Sequence, residues 1–469
     1  METGGFARSL RSAPERLAPS TPVHARAQVV YYCLSKAVSV SHRLSQFSQS
    51  TFSSFGIRNY RLYYIGQIIS TSGTWMQSLA QAWLVLQLTN SGTALGLVTA
   101  LQCVPVLVLG PFGGIVADRF PKHKLLMVTQ SALGLLALVL GTLIITGWVQ
   151  LWMVCLCALG KGLVDAVDNP TRQSFVVELV GEEHLRNAVT LYSSLVNLAR
   201  IVGPALAGVI IATIALAPCF ILNGISYAAV VIMLLFVRPS DLFTPPRMPR
   251  VRGAFLAGFR YVASTPILRN VLLMLALIGT LTFEFQVSLP LIAEFGFHGN
   301  AESYAALMSA MGVGAVIGGL MTAAKKNTSP HLLIGAALSF GLAVLLAAAM
   351  PLLVLATLAM VLVGYFSISF TSLGNSVLQL ESEPQMRGRV MAFWSIAFLG
   401  STAIGGPIVG WIGEHTQPQW GLGVGGIAAL VAATLGFMTL RNARPSRPAP
   451  GRVIRPAEAI AETAGPGQA

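Results

Sequence analysis

The sequence predicts an all-α membrane protein, with twelve transmembrane helices in two six-helix pseudo-repeats. Three observations carry that expectation. Of 469 residues, 54% are hydrophobic and only 10% charged, whereas charged residues make up about a quarter of a globular chain. The apolar residues fall into twelve runs of about 20 residues, the length that crosses a ~30 Å hydrocarbon core. Three short motifs also recur in order, about 205 residues apart. Backbone groups in lipid find no water, so runs of this length fold as helices with internally bonded amides rather than as open strands.

The runs, numbered as spans 1 to 12, cover residues 62–88, 92–117, 125–146, 149–171, 188–213, 218–237, 270–293, 303–324, 331–350, 352–375, 391–413 and 420–440. Spans 2 and 3 are joined by the charged, glycine-led stretch Gly113-Gly114-Ile115-Val116-Ala117-Asp118-Arg119-Phe120-Pro121-Lys122-His123-Lys124. Gly113-Gly114 is echoed by Gly318-Gly319, with Ala323 standing where the first copy has Asp118. Gly203-Pro204 is echoed by Gly406-Pro407, and Leu185-Arg186 by Met386-Arg387. Residues 55–238 and 269–440 are therefore read as duplicated halves. Residues 239–268 form a linker whose second part, from Gly253, reads as an amphipathic helix on the membrane surface. Residues 1–54 and 441–469 are rich in Arg, Ser, Ala and Pro without apolar periodicity, and are expected to be disordered tails. The first tail has an apolar core of neither the length (about 7–15 residues) nor the setting of a secretory signal.

The net charge of +13 would suit a nucleic acid, but its placement argues for a membrane instead. Lys and Arg gather in the tails, in the linker and in every second loop. The opposite loops carry Glu294, Glu302 and Glu414 and no Lys or Arg. This is the positive-inside pattern, and it places both termini in the cytoplasm. The five cysteines lie mostly inside spans and the seven histidines outside the apolar cores, so neither a disulfide framework nor a metal site is expected. No phosphate-binding loop of the Gly-x4-Gly-Lys-Ser/Thr kind occurs, which disfavours ATP-driven transport. No cofactor is expected.

Charges inside spans are costly and mark function. Span 4 carries Lys161, Asp165 and Asp168 at i, i+4 and i+7, on one face. Span 5 carries Arg200, and span 7 carries Glu284 near its centre. Two readings stand: a proton-coupling set, or fixed ion pairs in which Lys161 and Arg200 neutralise Asp165 and Asp168. Glu284 has no basic residue in its own helix, which favours coupling there. Gln67, Thr71, Thr74, Ser78 and Gln81 share a face of span 1, Ser193, Asn197 and Arg200 one of span 5, and Thr280, Glu284 and Ser288 one of span 7. These stripes are expected to line a central cavity, walled by Trp75, Trp83 and Tyr227; hydrogen-bonding glue between helices is the alternative. Gly203, Pro204 and Gly208 would bend span 5 and let it pack closely.

At the end of span 2, Gly113 and Gly114 remove side chains so that another helix can approach. Asp118 is expected to meet the positive end of span 11, near Met391. Lys122 or Arg119 would pair with an acid at the cytoplasmic end of span 4, such as Asp168. Such contacts would latch the halves on the inside; the basic residues would set topology in any case.

Several stretches carry a family resemblance: Gly73-Thr74-Trp75-Met76, Gly114 to Lys124, Asp168-Asn169-Pro170-Thr171-Arg172, Asn197-Leu198-Ala199-Arg200-Ile201-Val202-Gly203-Pro204 and Arg387-Gly388-Arg389. From about Phe55 to Arg441 the chain resembles multidrug-type exporters of the major facilitator superfamily, in the branch of drug:proton-antiporter-like effluxers that includes macrolide and enterobactin exporters. The resemblance implies two parallel repeats with substrate between them near midplane. It also implies proton-driven export of a small amphipathic molecule (a drug, macrolide or siderophore) by a monomer in a bacterial inner membrane, without enzymatic activity. An importer or lipid flippase would share the fold. A non-transporting scaffold or receptor is the other class, but it would have no reason to keep four or more charges in its spans.

Overall fold

The computed structural model describes residues 53–243, 254–324 and 328–442. Most of the 1–54 tail, the centre of the 239–268 linker, Lys325, Lys326, Cys33 and the tail beyond Asn442 lie outside the described residues.

Ten helices among the described residues are long and apolar enough to cross a membrane. One of them, Leu151–Thr213, holds both span 4 and span 5, which are separated by a kink where the backbone leaves helical geometry at Gly181 (φ 67°, ψ 176°). That positive φ is strained for any residue but glycine. The ring of Phe243 packs 3.4 Å from where a side chain would begin, and the Phe243 amide donates to the Glu178 carbonyl at 2.8 Å. Span 1, Arg58–Thr89, is as long as the others but is not among the apolar ten. Its glutamines, serines and threonines lower its hydropathy.

The remaining spans are Gly92–Arg119, Lys122–Ile145, Ala217–Leu235, Ala301–Ala324, Pro330–Ala348, Leu353–Glu381, Arg387–His415 and Pro418–Asn442. Local chemistry sets the turns. Asn90 closes span 1 in the left-handed region, and the Ser91 side chain caps span 2 by accepting from the Ala94 amide at 3.2 Å. Ser329 does the same for span 9, accepting from Leu332 at 3.3 Å ahead of Pro330. The helix expected in the linker is present as Ala254–Ser264.

Span 7 departs from expectation. It is broken into Pro266–Leu281 and Phe285–Leu291, with Thr282 to Glu284 out of helical register and a π-turn, Ile292–Gly296, at its far end. Thr280, Glu284 and Ser288 therefore do not share one continuous helical face.

The two halves repeat the same packing. Span 2 lies against span 4 and span 3 against span 6, just as span 8 lies against span 10 and span 9 against span 12. A side chain at Gly113 would collide with the Ala166 backbone of span 4, and one at Gly318 with the Tyr365 backbone of span 10. The echoed glycines thus serve the same close approach in each half. Gly114, by contrast, faces open space. The halves meet along two seams. Spans 2 and 11 touch backbone to backbone where Gly92 meets Gly410 and Gly96 meets Gly406. Spans 5 and 8 touch where Gly208 meets Ala305 and Gly312 meets Ile201.

Candidate functional site

The loops at 120–121 and 382–386, the Gly181 junction and the Ala254–Ser264 helix lie on one face of the bundle, called here the basic face. Between the halves lies a cavity of about 730 Å³ with walls from both. Trp75, Gln102, Cys103, Asn197 and Arg200 come from the first half, and Glu284, Met311, Thr371, Asn375, Trp394 and Phe398 from the second. Lining residues Ser376 and Trp394 stand only about 8–10 Å of helix from the basic ends of spans 10 and 11, at 1.5 Å per residue. In the other direction the cavity stops at the two glycine seams. Beyond them, Glu414 of span 11 accepts from Ser91 Oγ (2.8 Å), the Thr93 amide (2.8 Å) and Thr93 Oγ1 (2.6 Å) at the start of span 2. The halves are therefore joined on the opposite face, and the cavity reaches towards the basic one.

Glu284 sits at the closed end. The break in span 7 leaves its carboxylate against span 11. Added side chains at Gly405 and Gly406 would stand 3.0 Å from Oε1 and 3.5 Å from Oε2. Glu284 is 2% exposed, and its Oε1 has no hydrogen-bond partner. An aromatic cluster walls the site: Trp394 stacks on Phe398 at 5.5 Å, and Phe283 meets Phe398 edge-on at 4.8 Å. On the facing wall the Arg200 guanidinium lies over the Trp75 ring, 4.9 Å from its centroid.

The other intramembrane charges form ion pairs of their own. Asp168, wholly buried, accepts from Thr129 Oγ1 (2.6 Å) and Gln130 Nε2 (2.9 Å) and is ion-paired with Arg172. Neither Lys161 nor Arg200 is its partner, because Arg172 stands one helical turn away on the same face of span 4. Arg172 reaches on to Gln67 Oε1 (3.3 Å) and the Tyr192 hydroxyl (3.2 Å). These contacts clasp spans 1, 3, 4 and 5 together. Lys161 pairs with Asp165 at 2.6 Å, beside a void of about 10 Å³ lined by Gln77, Gln81 and Tyr227. Lys122 pairs with Glu178 at 2.5 Å rather than with Asp168, since Glu178 lies nearer the basic end of span 4. Asp118 and Arg119 are exposed, and Asp118 lies on a recess of about 480 Å³ whose lining residues, such as Gly114 and Gln173, belong to spans 2 and 4.

Of the polar stripes, span 1 contributes only Trp75 to the cavity wall. Gln67 serves the Arg172 clasp, and Thr74 hydrogen-bonds the Tyr227 hydroxyl at 3.1 Å. Thr71 Oγ1 is buried, while Ser78 and Gln81 line a small side pocket with Gln286. Thr280 and Ser288 bond carbonyls of their own helix. Gln67 and Thr74 thus join helices, while Thr280 and Ser288 bond within their own. Asn197 and Arg200 do line the cavity. Gly203 lies where a side chain would strike Trp75 and the Ser72 carbonyl, Gly208 packs on Ala305, and Pro204 is buried. Sequence reasoning missed the span 10 ladder of Ser367, Thr371, Ser372, Asn375 and Ser376, although its i, i+4, i+8 spacing was visible.

The comparisons agree with this architecture. Residues 49–452 match the family model described as transmembrane secretion effector. The chain is 25% identical over 404 residues to the enterobactin exporter EntS of Shigella boydii, covering 84% of this chain and 94% of that one. It is 25% identical over 401 residues to EntS of Escherichia coli O1:K1, with the same coverage. Among solved structures, a bacterial homologue of the lysosomal transporter Spinster in an inward-facing, unoccupied conformation matches with TM-score 0.66 and 15% identity, over 82% of this chain and 97% of that chain. A bacterial homologue of the iron transporter ferroportin, inward-facing, matches with TM-score 0.63 and 15% identity, over 81% and 98%. The protein is a multi-pass membrane transporter and not an enzyme, and it belongs to the transmembrane secretion effector family of the major facilitator superfamily.

Proposed function

We propose that the protein exports small amphipathic molecules from the cytoplasm by alternating access, driven by protons entering through Glu284. One observation carries the reading: the cavity reaches towards the basic face and ends at a buried carboxylate set where spans 2, 7 and 11 meet. Lys and Arg on that face orient it towards the cytoplasm of a bacterial inner membrane. The EntS relatives support export as the direction.

In this cycle the parted outer seam lets Glu284 take a proton from outside. A charged carboxylate enclosed between spans 7 and 11 would cost several kcal/mol, so the seam closes over the neutral acid. Closure opens the inner side, where substrate enters and the proton leaves through the cavity. Asp118, with Gly113, Arg119 and Lys122 around it, serves the inner gate in the outward-open state. The carrier works as a monomer, since each chain holds both halves.

The test is accumulation of a fluorescent drug panel in an efflux-deficient bacterium expressing the protein, with and without an uncoupler. Uncoupler-sensitive reduction is expected for the unmodified protein and none for Glu284→Gln, which should still bind substrate. Full driven transport by Glu284→Gln would move the coupling role to Asp165, and accumulation raised above control would reverse the direction.

A further inference from the structure

Only two of the residues lining the cavity are charged, Arg200 and Glu284, and they are not paired with each other. Ion pairs among the described residues include Lys122–Glu178, Lys161–Asp165 and Arg172–Asp168. Arg200 belongs to none of them, and its Nε is buried without a hydrogen-bond partner. Its one marked contact is the Trp75 ring. A guanidinium inside a membrane helix is costly and is normally matched by a carboxylate or by backbone carbonyls. An aromatic face returns only part of that cost.

We infer that Arg200 is the anion-binding group of this cavity, and that the substrate is an amphipathic organic anion with an aromatic body. The planar guanidinium presents paired donors that fit a carboxylate, sulfonate or phosphate edge in a way an ammonium does not. Stacking on Trp75 holds that fork in one plane. The anion's body has its own surface in the stacked Trp394–Phe398 pair and the Phe283 ring. Thr371 and Asn375 supply hydroxyl and amide groups on the wall contributed by the other half. Glu284 offers a cation little, because its carboxylate is packed against Gly405 and Gly406.

The inference rests on the transport reading for what is carried, but binding can be measured without any gradient. The probes are fluorescein and rhodamine 123, dyes with the same xanthene core and opposite charge, followed by anisotropy with the detergent-purified full chain. Fluorescein should bind at least about ten-fold more tightly than rhodamine 123. Arg200→Gln should remove that preference, and Arg200→Lys, which keeps the charge but not the fork, should retain part of it. Equal binding of both dyes, binding of neither, or unchanged fluorescein affinity in folded Arg200→Gln overturns the inference. A lower melting temperature with unchanged affinity would make Arg200 a structural residue. The unmodified protein and Arg200→Lys decide the matter if Arg200→Gln does not fold. Fluorescein bound but not exported would leave the anion site standing and remove the export reading. Export of rhodamine 123 with no anion preference would do the reverse.

Discussion

In the proposed cycle, Gly96→Ala should push the carrier towards its outward-open state. The added methyl would land on the Gly406 carbonyl and 2.6 Å from the Pro407 nitrogen. These are backbone atoms of span 11 and have no rotamer by which to retreat, so spans 2 and 11 must separate. Overpacking of this kind costs about 1–3 kcal/mol. The clash exists only while the seam is closed, so the cost falls on the inward-open state and shifts the equilibrium about 5- to 150-fold. The assay is a pulsed electron-spin distance measurement between labels on the 214–216 and 416–417 turns, in nanodiscs, with native cysteines replaced. A longer-distance population should appear or grow. Gly110→Ala, in the same helix but with no atom within 4 Å of the new methyl, should leave the distances alone. A Gly96→Ala protein with an unaltered distance distribution would refute the assignment of this seam as the outer gate.

Three other outcomes are expected. Asp168→Asn leaves Arg172 buried without its counter-ion and should destabilise the fold by about 3–5 kcal/mol, seen as a lower melting temperature in detergent; normal melting with lost driven transport would instead make Asp168 a coupling group. Replacing both members of the Lys161–Asp165 pair, by Lys161→Met with Asp165→Leu, should cost less stability than either single change and should keep gradient-driven transport, whose loss would point to Asp165 as the proton carrier. Asp118→Asn should stall transport and raise inward-open crosslinking, and unchanged gating would remove Asp118 from the inner gate.

The spans were legible because hydropathy and length report directly on the bilayer, and the duplication because Gly113 and Gly318 are bound to recur where two helices must touch. Partner choice was not legible. Spacing placed Lys161, Asp165 and Asp168 on one face, yet Arg172, one turn further along span 4, captured Asp168, and Thr129 and Gln130 from span 3 completed its shell. A one-dimensional pattern shows which side chains point the same way but not which neighbouring helix they meet. The same blindness made the span 1 stripe look like a cavity wall when Gln67 and Thr74 bond neighbouring helices. The break at Thr282–Glu284 carried no proline or glycine of its own to announce it. Arg200, Asn197 and Glu284 were found because charge in an apolar run is conspicuous, whereas the span 10 ladder consists of residues that more often join helices.

The interrupted span 7 also bears on how fast such a carrier can turn over. Its longer rod, Pro266–Leu281, packs chiefly on spans 10, 11 and 12, while the short rod Phe285–Leu291 also touches spans 1 and 2 across the molecule. The joint is pinned to span 12 by Thr282, whose hydroxyl donates to the Gly425 carbonyl at 2.7 Å. Swinging the short rod about that pin breaks no helical ladder, because the ladder is already cut there. In the proposed cycle the barrier to each stroke lies in parting glycine contacts and moving a proton, and a ligand wedged beside Phe283 would stop the lever without ever reaching the gate.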